Sequence, residues 1–316
     1  MHTSPEVSII IPNYNCLSFL PACLASIRAQ KDVPYEIIIV DDGSTDGSIE
    51  WLKREVQKSS DLKVLFEHRL GPGGARNTAA QVSDAQFIAF LDADDLWEEN
   101  KLASQIAYHK ANTKVVLTFT DYVHIAESDG REIIGCFEYW PHFSSCYDRN
   151  LSAGEYRQLP SPSATLFSEN IVGTSTTVIR RDAFLAIGGF DVSLPSASDW
   201  DVWLKLAQVG NVAYCNDKTM RYLMREGSVS SNMEKRMQAM QTIINRHAPA
   251  AMHQDARSIN HVRARLASGY RDICHRQNHR FKAIQYSLRA FINSPSKRYF
   301  KSLMKDALLM ATPKIP

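Results

Sequence analysis

Two apolar runs in this chain end on carboxylates. Ile37-Ile38-Ile39-Val40 leads into Asp41-Asp42-Gly43-Ser44, and Phe87-Ile88-Ala89-Phe90-Leu91 leads into Asp92-Ala93-Asp94-Asp95. Short β-branched and apolar runs suit strands buried in a parallel sheet. Acidic residues just past such strands line the crevice where open α/β sheets take ligands. Five Asp side chains in two such places are costly unless something cationic or polar meets them. A divalent metal together with a nucleotide would do so.

The surrounding sequence keeps the same alternation. Residues 7–11 read as a first strand ended by Pro12, and residues 17–28 have helical apolar spacing. Ser44-Thr45-Asp46 offers N-caps for a helix reaching Gln57, since short polar side chains accept from the first free N–H groups. Residues 64–66 read as a third strand, Gly71-Pro72-Gly73-Gly74 as a sharp turn before a helix from Ala75, and residues 98–112 as a helix. Strands alternating with helices predict an α/β fold, a mostly parallel sheet flanked by helices.

After a strand-like run at 115–120, residues 121–172 lose periodicity and gain turn formers and aromatics, as an excursion over a site would. Residues 174–179 read as a strand and 181–187 as a short helix ended by Gly188-Gly189. Residues 199–208 form an amphipathic helix with Trp200, Trp203, Leu204 and Ala207 on one face, because helical neighbours recur at three and four positions. From about Ser231 the chain turns helical and basic. The expected division is a catalytic-type domain over 1–230 and a basic helical region over 231–316.

Composition sharpens that division. Residues 232–316 carry 16 Lys and Arg against 4 Asp and Glu, while residues 1–231 carry 20 against 30. The two parts therefore meet different partners. The six cysteines are scattered without a CxxC, which fits reduced thiols in a cytosolic protein better than a disulfide framework or zinc site. No run of about 18 apolar residues exists, and the N-terminus lacks the pattern of a secretory signal.

Four segments carry chemistry. Asp92-Ala93-Asp94 follows a buried strand, and Mg2+ or Mn2+ takes hard oxygen ligands from one or two carboxylates plus phosphate. Helix capping is the bland alternative. Asp41-Asp42 stands where a dinucleotide fold places its ribose ligand. The first strand is followed by Pro12-Asn13-Tyr14-Asn15 rather than GxGxxG, which argues against a nicotinamide cofactor. Tyr14 could stack on a base and Asp42 accept from a base N–H or ribose hydroxyl. In the glycine segment, Arg76 is expected in a first helical turn, where a cation opposes the helix dipole unless an anion is near. Asp199 and Asp201 are two apart, so at most one faces a cleft; Asp199 would be a general base or a cap.

Taken together these residues resemble the family 2 glycosyltransferases, inverting enzymes with the glycosyltransferase A fold. The resemblance spans about residues 6–230. It runs in order through residues 7–15 and 40–46, Gly73-Gly74-Ala75-Arg76-Asn77, Leu91-Asp92-Ala93-Asp94-Asp95, Gly188-Gly189-Phe190-Asp191 and Ser198-Asp199-Trp200-Asp201. The resemblance implies that Pro12, Tyr14 and Asp42 hold the base and ribose, usually of a UDP-sugar. It implies that Arg76 approaches the diphosphate, that Asp92 and Ala93 contact ribose or donor, and that Asp94, with Asp92, holds Mg2+ or Mn2+. Asp199 matches the catalytic base. Ser198 stands where the family often has Glu, and Arg225 where a segment closing over the diphosphate often has His.

The implied activity is inverting sugar transfer to an acceptor hydroxyl in polysaccharide, lipopolysaccharide or other glycan biosynthesis, with a lipid-linked glycan as one candidate acceptor. The alternative is a catalytically degenerate nucleotide-sugar-binding protein acting through its basic tail. Phe291, Tyr299, Phe300, Leu303, Leu308 and Leu309 lie among Arg289, Lys297, Arg298, Lys301 and Lys305. Such mixing suits an interfacial helix on anionic lipid, so a cytoplasmic protein peripheral to the inner face of the cell membrane is expected. Packing on the acidic body or a homodimer are the other readings of the tail. Nucleic acid is not an expected partner, because the tail's aromatics follow helix-core spacing rather than forming a stacking platform.

Overall fold

The computed structural model describes residues 4–126, 129–224 and 232–311. The strands are β1 (Val7–Asn13), β2 (Tyr35–Asp41), β3 (Leu62–Phe66), β4 (Phe87–Phe90), β5 (Leu96–Trp97), β6 (Val115–Ala126), β7 (Glu132–Gly135), β8 (Tyr156–Gln158), β9 (Val178–Arg180) and β10 (Asn211–Met224). The early helices are α1 (Leu20–Arg28), α2 (Ser48–Val56), α3 (Gly71–Val82), α4 (Lys101–Ala111), α5 (Cys136–Tyr139), α6 (Pro141–Cys146) and α7 (Pro162–Ser168). They are followed by α8 (Arg181–Ala186), α9 (Ser198–Val209), α10 (Met233–Gln254), α11 (Ser258–Arg276), α12 (Arg280–Asn293) and α13 (Lys297–Ala311). No described helix is long and apolar enough to cross a membrane.

One sheet of ten strands organises the first unit, in the order β3-β2-β1-β4-β9-β6-β10-β5, with β7 and β8 at its margins. Its first four strands are parallel. β9 then runs antiparallel to both neighbours, and β6 and β10 pair in parallel. The four parallel strands are the β-branched runs that the sequence marks as buried. On one sheet face Val7, Ile9, Ile11, Ile37 and Ile39 pack against Leu24 of α1, Leu52 of α2 and Ile106 of α4. On the other, Phe90 meets Phe184, Phe190 and Trp203 with ring centroids 5.4–6.4 Å apart. Each large apolar side chain so buried contributes about 1.5–3 kcal/mol.

Among the boundaries that differ from the sequence reading, two have clear local causes. β1 continues through Pro12 to Asn13. The β4 ladder stops at the Ile10–Phe90 pair, while Pro12 stays in register with Val40 of β2. Successive residues of a parallel strand bond to opposite neighbours, so the missing Pro12 N–H falls on the side already vacated. α3 begins at Gly71 rather than near Ala75, with Pro72 in its first turn, because Pro is preorganised for that position.

The chain forms two compact units. The first comprises Met1–Pro162, Ile171–Ser193 and Ser198–Glu226, and the second Ser163–Asn170, Leu194–Ala197 and Gly227–Pro316. Most of α7 therefore belongs to the helical unit. The Gln254 side chain accepts from the Ala164 N–H at 3.2 Å, and Arg265 donates to the Ser168 carbonyl at 3.1 Å. None of the six cysteines forms a disulfide.

Candidate active site

The end of β2 fixes one wall. Asp41 is fully buried; it accepts from the Asn13 amide at 2.6 Å and from the Ser44 N–H at 2.9 Å. Ser44 Oγ in turn accepts the Asn15 N–H at 2.9 Å. These bonds tie the loop after β1 to the loop after β2, and hold Tyr14 between them with its side chain 60% exposed. Gly43 has φ +85° and a Cβ there would lie 2.5 Å from His68 Nδ1, so a larger residue would be strained and would have to displace the exposed His68 ring. Asp42 accepts from the Leu70 and Gly71 N–H groups at 2.7 and 2.8 Å. It thereby caps α3 from outside, and a ribose or base donor would share oxygens already used once.

Arg76 lies in the second turn of α3, because the helix starts five residues before it. The expectation of a first-turn cation opposed by the dipole is therefore corrected, and the dipole argument for an anion falls with it. Its charge is met instead by Asp92, to which Nη2 is hydrogen-bonded, and its guanidinium lies 5.3 Å from the Phe190 ring centroid. Arg76 is buried, and its Nε has no hydrogen-bond partner among the described residues. That leaves one buried donor beside a carboxylate, the kind of group a diphosphate oxygen would satisfy.

The acidic turn after β4 is held from a distance. Ser175 Oγ accepts the Asp92 N–H at 3.0 Å and donates to Asp95 at 2.5 Å, while Trp97 Nε1 donates to the Ser175 carbonyl at 2.6 Å. Ser175 sits in a 3-10 turn, Thr174–Thr176, where the sequence suggests a strand. Asp95 is buried, and burial followed by the charges of Asp92 and Asp94 raises its carboxyl well above the ordinary range. The buried Cys23 thiol is raised by burial first and then by the same three carboxylates. Negative charge is thus concentrated at this turn, as a divalent cation requires. Among the described residues no three His, Cys, Asp or Glu side chains converge as a ready-made cage. An ion here would take one or two carboxylates and draw its other ligands from phosphate and water, the pattern of Mg2+ and Mn2+.

The start of α9 forms the remaining part. Ser198 Oγ lies 3.4 Å from where a Gly73 Cβ would stand, so the first turns of α9 and α3 are neighbours. Asp199 is half-buried at this end. Asp201 is fully buried and pairs with Lys205 at 2.8 Å, so of the two acids only Asp199 is open to solvent. Two contacts across the chain clamp this region. Asn77 donates to the Phe190 carbonyl and accepts the Phe190 N–H, both at 2.9 Å.

The sequence-derived residues Pro12, Tyr14, Asp42, Arg76, Asp92, Ala93, Asp94 and Asp199 all fall in the first unit. Those before Asp199 lie in or just past β1, β2, the start of α3 and β4. Arg225 lies outside the described residues. Asn77 and Phe190 stand in the quoted motifs without an assigned role, and Ser175 was not singled out by sequence, because each acts through partners far along the chain.

Comparison with known proteins bears on the family and the fold. A profile described as "Glycosyl transferase family 2" matches residues 8–169. TuaG of Bacillus subtilis strain 168, a glycosyltransferase whose name assigns it provisionally to teichuronic acid biosynthesis, is 30% identical over 234 residues, or 73% of this chain and 84% of that protein. WfgD of Escherichia coli, a UDP-Glc:alpha-D-GlcNAc-diphosphoundecaprenol beta-1,3-glucosyltransferase, is 26% identical over 240 residues, or 73% and 82%. Among solved structures, S. aureus TarS 1-349 in complex with UDP-GlcNAc superposes with a TM-score of 0.66 at 19% identity, covering 95% of this chain and 84% of that one. The mannosyltransferase PcManGT of Pyrobaculum calidifontis, in complex with GDP-Man and Mn2+, gives a TM-score of 0.63 at 19% identity, covering 98% and 81%.

Proposed function

Because the chain belongs to the family 2 glycosyltransferases, with the glycosyltransferase A fold, we propose that it transfers a sugar from a UDP-sugar to a hydroxyl of a lipid-linked glycan, with inversion, in cell-surface polysaccharide synthesis. The observation that carries this reading is the pairing of buried Arg76 with half-buried Asp92, which joins the glycine-opened helix to the acidic turn and leaves one Arg76 donor for a diphosphate. The relatives' names support the donor and the acceptor class, as UDP-glucose and a diphosphoundecaprenol-linked sugar are what WfgD is named for.

In this reading residues 1–230 carry the chemistry. Tyr14 and Pro12 flank the base, Asp42 takes the ribose, and Ala93 lies against the donor. Asp94, with Asp92, would hold Mg2+ or Mn2+, which when bound supplies Lewis-acid stabilisation of the departing diphosphate. The Mn2+ complex of PcManGT supports use of a divalent metal. Asp199 takes the proton of the acceptor hydroxyl as the new C–O bond forms at the anomeric carbon. The bond to the diphosphate breaks on the opposite face, through an oxocarbenium-like transition state. The negative charge leaves on UDP, beside Arg76. Solvent exposure of Asp199, against burial and ion pairing of Asp201, supports the choice between the two acids. Proton NMR of the transfer product tests the stereochemistry: the new anomeric bond is inverted relative to the donor, and a retained configuration would overturn the single displacement.

A further inference from the structure

Helices α12 and α13 of the second unit are built inside out for a soluble protein. The α12 side chains that are buried are Ala283, Ser287 and Ala290. Its large apolar residues Phe281, Leu288 and Ile292 are 47–67% exposed. Their spacing of seven and four places them on one stripe, opposite the buried positions. On α13, Phe300, Met304 and Leu308 repeat every four residues and are 45–66% exposed. The α13 stripe reaches α12 next to Ile292, since the Phe300 ring meets that of the half-buried Phe291 at 5.8 Å between centroids. An exposed apolar surface of this kind marks an interaction site.

The charge around the stripes is of one sign. Lys282 and Arg289 on α12, and Lys297, Arg298, Lys301 and Lys305 on α13, are exposed. The single carboxylate on either helix, Asp306, is buried and consumed internally. It accepts from Arg271 at 2.7 and 2.9 Å, from His275 at 2.8 Å and from Ser287 at 2.5 Å. The face therefore offers aromatic and aliphatic side chains rimmed by cations, with no exposed anion on these helices. A second copy of the same face would set like charges against each other. An anionic bilayer surface answers both features, because acyl chains take the apolar stripe and headgroups the cations.

We propose that the α12–α13 face docks on an anionic membrane surface, with Phe281, Leu288, Ile292, Phe300 and Met304 entering the interface. This deepens the proposed function, resting on it only in giving the lipid-linked acceptor its surface, while the geometry stands on the second unit alone.

The test is flotation of the full chain with vesicles of phosphatidylcholine alone or mixed with phosphatidylglycerol, across a salt series, with no donor or acceptor present. The wild type is expected to float with the mixed vesicles at low salt and to bind at least about tenfold more weakly in high salt. The double change Ile292→Ser with Phe300→Ser should abolish flotation at every salt. Lys297→Glu with Lys301→Glu should remove the preference for anionic lipid. Both pairs are surface residues, and unchanged circular dichroism and UDP binding keep loss of fold apart from loss of docking. Failure of the wild type to float would overturn the proposal, as would equal flotation of the serine variant. So would a concentration-dependent dimer, dissociated by these substitutions, in a protein that ignores vesicles. None of these outcomes bears on sugar transfer, so the docking and the transferase reading fail separately.

Discussion

Ser175 Oγ accepts the backbone N–H of Asp92 at 3.0 Å, from 83 residues away in the chain. The same hydroxyl donates to Asp95, so one side chain sets the backbone and a buried neighbour of the acidic turn together. Ser175→Ala leaves the Asp92 N–H and an Asp95 oxygen without this partner. The expected cost is about 1–3 kcal/mol of stability. Metal-dependent UDP affinity should fall by roughly tenfold as the turn loosens. Thermal melts and calorimetric titration of the variant measure both, and Ser175→Thr should restore part of each.

Asp199 and Asp201 have opposite predicted phenotypes. Asp199→Asn should lower transfer by about 10²- to 10⁴-fold, the usual contribution of a general base, with UDP binding retained. Asp201→Asn removes the buried partner of Lys205 and should cost stability, about 1–2 kcal/mol, because the half-buried Lys205 side chain can turn to water. Melting temperatures and initial rates for the two variants separate the roles. Near wild-type transfer by Asp199→Asn would remove it as the base.

His109 predicts a pH dependence of stability. Its ring is fully buried, with Nδ1 3.2 Å from the Val115 carbonyl and Nε2 3.1 Å from the Val178 carbonyl. Burial lowers its pKa from 6.5 to about 4, aided by Arg180 and opposed by the two carbonyls. Between these values the unfolded chain binds the proton and the folded chain does not. The contribution is thus full above about pH 6.5 and is lost as pH falls toward about 4, with a ceiling of about 3 kcal/mol. Denaturation midpoints at about pH 7.5 and about pH 4.5 should diverge less in His109→Gln than in the wild type.

Gly43 predicts an effect on the wall formed at the end of β2. Gly43→Ala meets both an unfavourable φ and the His68 ring. The left-handed conformation alone costs about 1–2 kcal/mol, and displacement of His68 adjoins the loop that Asp42 holds. A lowered melting temperature with weakened UDP binding is expected. An unchanged melting temperature would show that the turn relaxes freely.

The parts of this molecule that could be read from sequence are those fixed by local rules. The β-branched runs specify buried strands, so the positions of Asp41, Asp42, Asp92 and Asp94 at or just past the ends of β2 and β4 could be read without coordinates. What could not be read depends on distant partners. Gly71-Pro72-Gly73-Gly74 looks like a turn locally, yet begins a helix that Asp42 caps from another loop. Asn77 finds its partner 113 residues away. In the tail, amphipathic spacing signals a helix but not which side packs. Tyr299, which sequence placed among the interfacial aromatics, is buried, whereas Phe281 and Ile292 face solvent. Small Ala and Ser residues at the packing positions let the helices approach closely and leave the larger side chains outside.

The most direct test of the account is calorimetric titration of UDP, with GDP as the comparison, each with and without Mn2+, on the wild type and on Asp94→Ala. The account predicts UDP binding that needs the metal, exceeds that of GDP, and weakens by at least about tenfold in Asp94→Ala. Absence of binding by either nucleotide, or UDP binding indifferent to both the metal and Asp94, would contradict it.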